Sequence, residues 1–328
     1  MSKIILKRLI ETTSRYGVYQ HSHFCISDPK FGYAIDDQAR ALIIAKEVKN
    51  QRLRKIYEKF LYRAFKDGEP VFHYFYDSDK DLVPDKSIEI SDDALAMVLW
   101  ALKTGEGNNE KDKVIMDYIE NRARTWEFPR SWSYALIGLT KDEVPSQLEI
   151  ELKSKLVNLY NKNNREDWQW FENSLVYGNA LMPWAMWELS IARDDKEAHK
   201  IATESTEFLI EAGQLEGVPL PIGNRGWYER GKEKAIYDQQ PVEAAYMILC
   251  LEAAFKKTKD EHYREWAKKW WGWFWGNNTK KVKLIEKYAC YDAITDNSDR
   301  VNLNQGAESI ISFLLAWLAA KRLLIENN

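Results

Sequence analysis

The feature that most constrains this chain is an alternation between two kinds of helical segment. One kind is amphipathic and charged. Residues Gln51–Lys66, Asn109–Thr125, Gln147–Asn163, Asp194–Glu211 and His262–Trp275 keep one apolar and one wet face. The other kind is apolar nearly all round: Ala39–Ala45, Ala94–Leu102, Ser133–Leu139, Leu175–Ala192, Val242–Phe255 and Ser309–Leu324. A helix without a wet face has to be packed on most of its sides. With an N-terminal helix over Lys3–Thr13, the tally is about twelve helices, outer alternating with inner.

Six hairpins of outer and inner helices closing in a ring make an (α/α)6 toroid, an all-α fold, and the alternation predicts that architecture as one domain over 1–328. The inner helices of such a ring run parallel, so their N-terminal ends and the loops leading into them share one face. Those loops are the longest here. The stretch GVPLPIGNRGWYERG (Gly217–Gly231) is one, and VFHYFYDSDKDLVPD (Val71–Asp85) is another whose pattern predicts a short β-hairpin. Pro183 is expected to kink its helix.

The inner helices begin on polar residues, and this is where chemistry is sought. In YAIDDQARAL, one aspartate is explained as a helix cap. Asp36 and Asp37 followed by Arg40 are not, and Asp37 and Arg40, three apart, share a helix face. In EISDDALAMVLWAL, Ser91 reads as the N-cap, with Asp92 and Asp93 in the first turn. In AIYDQQPVEAAYM, Pro241 suits the first turn. Gln239 and Gln240 precede it, and Glu243 is either a capping-box residue or a proton-transferring carboxylate. In NLNQGAES, Asn304, Gln305 and Glu308 open the last helix. Trp168 and Trp170 alternate in WQWFEN and, in extended chain, present the same way.

Composition narrows the partners. The formal charge is −3 with no Lys/Arg block of five or more, which argues against nucleic acid. Three widely spaced cysteines, Cys25, Cys250 and Cys290, read as reduced thiols rather than a disulfide framework or zinc site. The N-terminus lacks the pattern of a signal peptide, and the apolar run Ile310–Ala320 is too short to span a bilayer, so a cytoplasmic protein without membrane contact is expected. Fourteen Trp, 17 Tyr and 12 Phe exceed what capping or turns would use. They fit a large helical core, and they also fit a sugar cleft, where a pyranose face rests on an indole.

Other chemistries find no motif. There is no Gly-rich phosphate loop after a strand and no G-x-S-x-G. His21 and His23 alternate in QHSHF but lack metal-ligand company, so neither metal nor cofactor is expected. A glycosidic bond, by contrast, is cleaved by two carboxyl groups flanking it, with amide, guanidinium and aromatic groups holding the sugar. That is the inventory at the polar helix starts.

Three stretches carry a family resemblance: YAIDDQARALI (Tyr33–Ile43), GNRGWYERGKEKAIYDQQPVEAAYM, and YDAITDNSDRVNLNQGAES. In these the chain resembles a six-hairpin (α/α)6 glycosidase-like family, which often occurs fused or adjacent to glycosyltransferases and near mannoside-active enzymes. The first carries that family's Asp-Asp-x-Ala-Arg element. EKYACYDAI stands where the family has TGGCYDGL, so glycines there are replaced, and Ile310 follows Ala-Glu-Ser where the family usually has Thr. The resemblance implies a sugar-active toroid and a mannose-containing substrate.

The sequence therefore predicts a glycoside hydrolase acting on a short oligosaccharide. Its acid and base are sought among Asp37, Asp92, Asp93, Glu243 and Glu308. Asp36, Arg40, Asn224, Arg225, Gln239, Gln240, Asn304 and Gln305 are expected to bind hydroxyls, and Trp168, Trp170, Trp227 and Tyr228 to stack on sugar rings. Two alternatives stand beside it. A sugar 2-epimerase on the same toroid would use paired histidines at inner-helix starts; the histidines here lie elsewhere apart from His21 and His73, in loops, so it ranks lower. A non-catalytic carbohydrate-binding partner of a glycosyltransferase would bind without turnover.

Overall fold

The computed structural model describes residues 5–65, 72–77, 82–87, 89–105, 109–297 and 300–325. Lys3, Lys66, Val71 and residues 78–81, which belong to segments discussed above, lie outside them. Twelve α-helices occur among the described residues: α1 Lys7–Thr12, α2 Ile35–Glu47, α3 Gln51–Ala64, α4 Asp92–Lys103, α5 Glu110–Ala123, α6 Pro129–Leu139, α7 Gln147–Asn163, α8 Leu181–Arg193, α9 Lys196–Ala212, α10 Pro241–Thr258, α11 Glu261–Trp273 and α12 Ala307–Arg322. The strands are two or three residues long and pair antiparallel in the loops. The chain forms two compact units, 1–152 with 304–311, and 153–303 with 312–328.

In the first unit, α2, α4 and α6 carry the core. Every residue from Ile35 to Ala45 is buried, as is every residue from Ala94 to Leu102 and all of α6. The outer helices bury one stripe each: Leu53, Tyr57, Phe60, Leu61 and Ala64 on α3, and Ile115, Met116, Ile119 and Ala123 on α5. The two classes of segment read from the sequence are thus the two burial patterns observed. The ends are set by local polar groups. Asn50 accepts from Leu53 N–H, Ser91 from Ala94 N–H, and Asn109 with Asp112 makes a reciprocal capping box.

α4 packs closely on α6, and Gly138 permits it. A Cβ there would lie 3.0 Å from Trp100 Cα and 3.3 Å from Trp100 N, both backbone atoms that cannot swing aside. The loop before α4 forms the expected hairpin: Phe75–Asp77 pairs with Val83–Pro84, and on its other edge with Tyr33–Ala34, the strand that runs straight into α2.

In the second unit, α8 packs on α9 and α10, and α10 on α11. Here one boundary differs from the expected Leu175–Ala192. Ser174–Leu175 pairs with Tyr228–Glu229, and the helix starts only at Leu181. Pro183 is therefore the third residue of α8, where its missing N–H has no intrahelical acceptor to lose, and it is accommodated in the first turn. The core is aromatic: Trp271 stacks on Phe313 with centroids 5.6 Å apart, and Trp187 meets Tyr263 edge-on at 5.8 Å.

Replacing Gly138 by Val forces α4 and α6 apart. The expected cost is about 1–3 kcal/mol, read as a lowered urea midpoint with an unchanged slope.

Candidate active site

The first unit gathers the acidic residues at the starts of α2 and α12 around one guanidinium. The strand Tyr33–Ala34 delivers the chain into α2, and Ile35 N–H donates to the Tyr74 carbonyl at 3.1 Å. The first turn of α2 thereby lies against the neighbouring hairpin, with Asp36 and Asp37 on it. Neither caps the helix; the N-cap is Ala34, with no side-chain cap bond. Both turn instead to Arg40, one turn on. Arg40 Nη2 donates to Asp36 Oδ2 and Asp37 Oδ1 at 2.9 Å each, and Nη1 donates to Glu308 Oε2 at 3.3 Å.

The three carboxylates differ in exposure: the side chains of Asp37, Asp36 and Glu308 are 4%, 12% and 47% exposed. Burial, reinforced by the charges of Asp36 and Glu308 and opposed by Arg40, pushes the Asp37 carboxyl well above the usual carboxylate range. The same cluster acts on Tyr74, whose phenol is raised by burial and by Asp36 and Asp37. Asp36 Oδ1 is buried without a hydrogen-bond partner among the described residues. The arrangement combines a buried carboxyl group with raised proton affinity and a half-exposed one, bridged by one cation. Such a pair can donate a proton from one member and accept one, or attack, with the other.

The remaining candidates of this unit have other partners. Ser91 caps α4, Asp93 Oδ1 accepts the Ser131 hydroxyl at 2.5 Å, and Asp92 is raised by partial burial. Asn304 Oδ1 accepts from Phe24 N–H at 2.9 Å, and Gln305 is buried with its N–H on the Phe24 carbonyl at 3.0 Å.

In the second unit, Glu243 does not close a capping box on its own helix. Its carboxylate is buried and accepts from Gly178 N–H at 2.5 Å, Asn179 N–H at 3.3 Å and Asn179 Nδ2 at 3.4 Å, just ahead of α8. A cavity of about 20 Å³, lined by Glu243, Asn179, Met247 and Trp270 among others, lies beside it; that is space for one water molecule. Gln239 is fully buried, donating to Thr279 Oγ1 at 2.7 Å and accepting from Trp273 Nε1 at 3.0 Å. Gln240 is the N-cap of α10 without a side-chain cap bond.

Arg225 bridges Asp238 at 3.1 Å and Asp296 at 3.0 Å, and Asn224 Oδ1 accepts from Asp238 N–H at 3.3 Å. Trp227 and Tyr228 are partly exposed. Trp168 and Trp170 are 3% and 0% exposed, and both rings meet Phe208. Trp168 also meets Tyr228 edge-on at 5.2 Å. Both indoles sit in the core of this unit because the WQWFEN stretch turns inward instead of running extended. Tyr74 and Ser131 carry no sequence signal of a site; the strand pairing that places Tyr74 is visible only in three dimensions.

No protein-family model and no curated protein matches this sequence. Solved structures do match the fold over essentially the whole chain. A sugar epimerase from a ruminal bacterium aligns with a TM-score of 0.73 at 12% identity, covering 100% of this chain and 97% of the other. Cellobiose 2-epimerase from Bacillus thermoamylovorans aligns at 0.70 and 13%, covering 97% and 96%. The GH76 alpha-mannanase of Bacteroides thetaiotaomicron aligns at 0.65 and 10%, covering 99% and 96%. These neighbours are (α/α)6 toroid enzymes acting on carbohydrates, both hydrolases and epimerases. The chain has the all-α (α/α)6 toroid fold. Among the described residues no helix is long and apolar enough to cross a membrane.

Two outcomes follow from these environments. Because the Asp37 carboxyl is raised in the folded chain, the native state holds a proton that the unfolded state releases from about pH 4 upward. Its stabilising contribution is full below that pH and is lost as pH rises through the raised value. Asp37→Asn is expected to remove that part of the decline in a series of melting temperatures against pH. Glu243→Ala strands two backbone N–H groups and should cost about 3 kcal/mol, measured as a shift in the urea midpoint.

Proposed function

We propose that this protein is a glycoside hydrolase whose general acid is Asp37 and whose second carboxylate is Glu308. The observation that carries the reading is the Arg40 cluster: a buried carboxyl, raised well above the usual range by burial and its acidic neighbours, and a half-exposed one on the same guanidinium, all within the first unit. Asp37 gives its proton to the glycosidic oxygen as the bond to the anomeric carbon breaks. Glu308 either draws a proton from the attacking water or attacks the anomeric carbon itself. Arg40 sets the direction of both carboxyl groups, and Asp36 and Tyr74 present polar atoms to sugar hydroxyls. Asp92 and Asp93, on the neighbouring inner helix, are assigned to substrate hydroxyls or to holding Ser131 and not to proton transfer.

The substrate is a short oligosaccharide containing mannose. The family resemblance and the likeness to an alpha-mannanase support that choice. The sugar-binding residues expected in the second unit, namely Asn224, Arg225, Trp227, Tyr228 and Gln240, are not needed for the chemistry proposed here. Glu243 is assigned to holding the turn ahead of α8.

The test is release of reducing sugar from manno- and gluco-oligosaccharides, with product analysis for isomers. Asp37→Asn and Glu308→Gln should each lower turnover by about a hundred- to ten-thousandfold while oligosaccharide binding survives. Glu243→Gln should track stability instead of turnover. Wild-type activity should fall on the alkaline side as Asp37 loses its proton, and that limb should vanish in Asp37→Asn. Isomerised sugar without cleavage would replace this reading by the epimerase, and binding without any turnover by the non-catalytic partner.

A further inference from the structure

Close to the acidic cluster in the chain fold is a small hairpin with an unusual surface. Ser22–His23 pairs with Ile26–Ser27, and the residues at its tip face solvent: Phe24 is 64% exposed and Ile26 72%. Phe31, 45% exposed, lies beside it with its ring edge-on to His21 at 4.9 Å and to His23 at 6.0 Å. Large apolar side chains grouped in the open usually mark something that covers them.

The hairpin is not loosely attached. Phe24 has φ of 51°, a left-handed backbone that a bulky residue rarely adopts. It is held there by both of its backbone polar groups: its N–H donates to Asn304 Oδ1 at 2.9 Å, and its carbonyl accepts from Gln305 N–H at 3.0 Å. A third bond, Ala307 N–H to the Gln20 carbonyl at 2.9 Å, fixes the base of the same segment. The residue after Ala307 is Glu308, on Arg40. The stretch that presents the exposed rings is thus fastened to the stretch that presents the half-exposed carboxylate.

We propose that the Ser22–Ser27 hairpin with Phe31 is a sugar-binding ledge that receives a pyranose ring next to the one at Glu308, with Asn304 as the residue that positions it. This rests on the glycoside hydrolase reading of the Arg40 cluster. The ledge has the chemistry of a sugar contact: flat rings for the apolar face of a pyranose, and imidazole edges for its hydroxyls. The His23 ring is fixed by Asp28, whose Oδ2 lies 3.2 Å from Nε2. A protein partner fits less well. A stable interface takes about 20–30 residues a side, and the two-residue strands of this hairpin offer almost no edge to extend. Asn304, expected from the sequence to bind a hydroxyl, acts here through Phe24.

The experiment is calorimetric titration of mannose, mannobiose and mannotriose, and the matching gluco-oligosaccharides, into the full chain carrying Asp37→Asn, so that no sugar is consumed. Adding Phe24→Ala or Phe31→Ala should weaken trisaccharide binding about tenfold and monosaccharide binding less than twofold. Asn304→Ala should do the same, and Asn304→Asp, which keeps an acceptor for Phe24 N–H, should restore most of the affinity. Because Phe24 and Phe31 are exposed, their melting temperatures should stay at the parent value. Unchanged trisaccharide affinity in both phenylalanine variants overturns the ledge, as does failure of the parent to bind any of these sugars. Loss of a dimer in sedimentation with sugar affinity intact also overturns it, in favour of self-association. If Asp37→Asn still hydrolyses but the ledge variants lose affinity, the assigned acid is wrong and the ledge stands.

Discussion

The first unit depends on a buried guanidinium. Arg40 is 1% exposed, in a helix buried without a break from Ile35 to Ala45. A cation in such a place is tolerated only if its charge and its donors are met. Asp36 and Asp37 meet it from the same helix, and Glu308 from α12. Three carboxyl groups around one cation leave surplus negative charge, and this together with burial raises the proton affinity of the most buried of them, Asp37. The features that look catalytic thus arise from the same electrostatic constraint that holds the cluster together. Removing the cation would leave an acidic pair in low dielectric with nothing opposite it.

The second unit solves a related problem differently. Glu243 is also a buried carboxylate beside apolar side chains, but its partners are backbone N–H groups ahead of α8. Fixed dipoles at a helix start hold an anion without adding a mobile cation. Both residues stand in the first turn of an inner helix. Their environments, not their positions, separate a carboxyl able to give up a proton from one that fastens a turn.

Much of the helical frame was legible in the sequence because its signals are local. Three- and four-residue spacing distinguished α3 and α5 from α2 and α4, and Ser91 announced its own cap. Asp37 and Arg40, three residues apart, had to share a face. What escaped were contacts made at long range by very few residues. Glu308 meets Arg40 across 268 positions, and nothing in either segment names the other. The strand pair Ser174–Leu175 with Tyr228–Glu229 consumed the beginning of a segment whose apolar pattern read as continuous helix. Trp168 and Trp170 alternate as a surface strand would, yet the chain turns and buries both. Alternation says which side chains point together, but not whether that side is wet.

The first unit closes only with residues 304–311, although its remaining chain ends at residue 152. During synthesis its inner helices can pack on one another long before that piece exists, whereas the bonds from Asn304, Gln305 and Ala307 to the segment around Phe24 must wait. Until residue 308 is made, Arg40 therefore has its two local aspartates and lacks Glu308. The nascent chain carries a partly made acidic cluster until that piece, more than 150 residues after the rest of the unit, has been added.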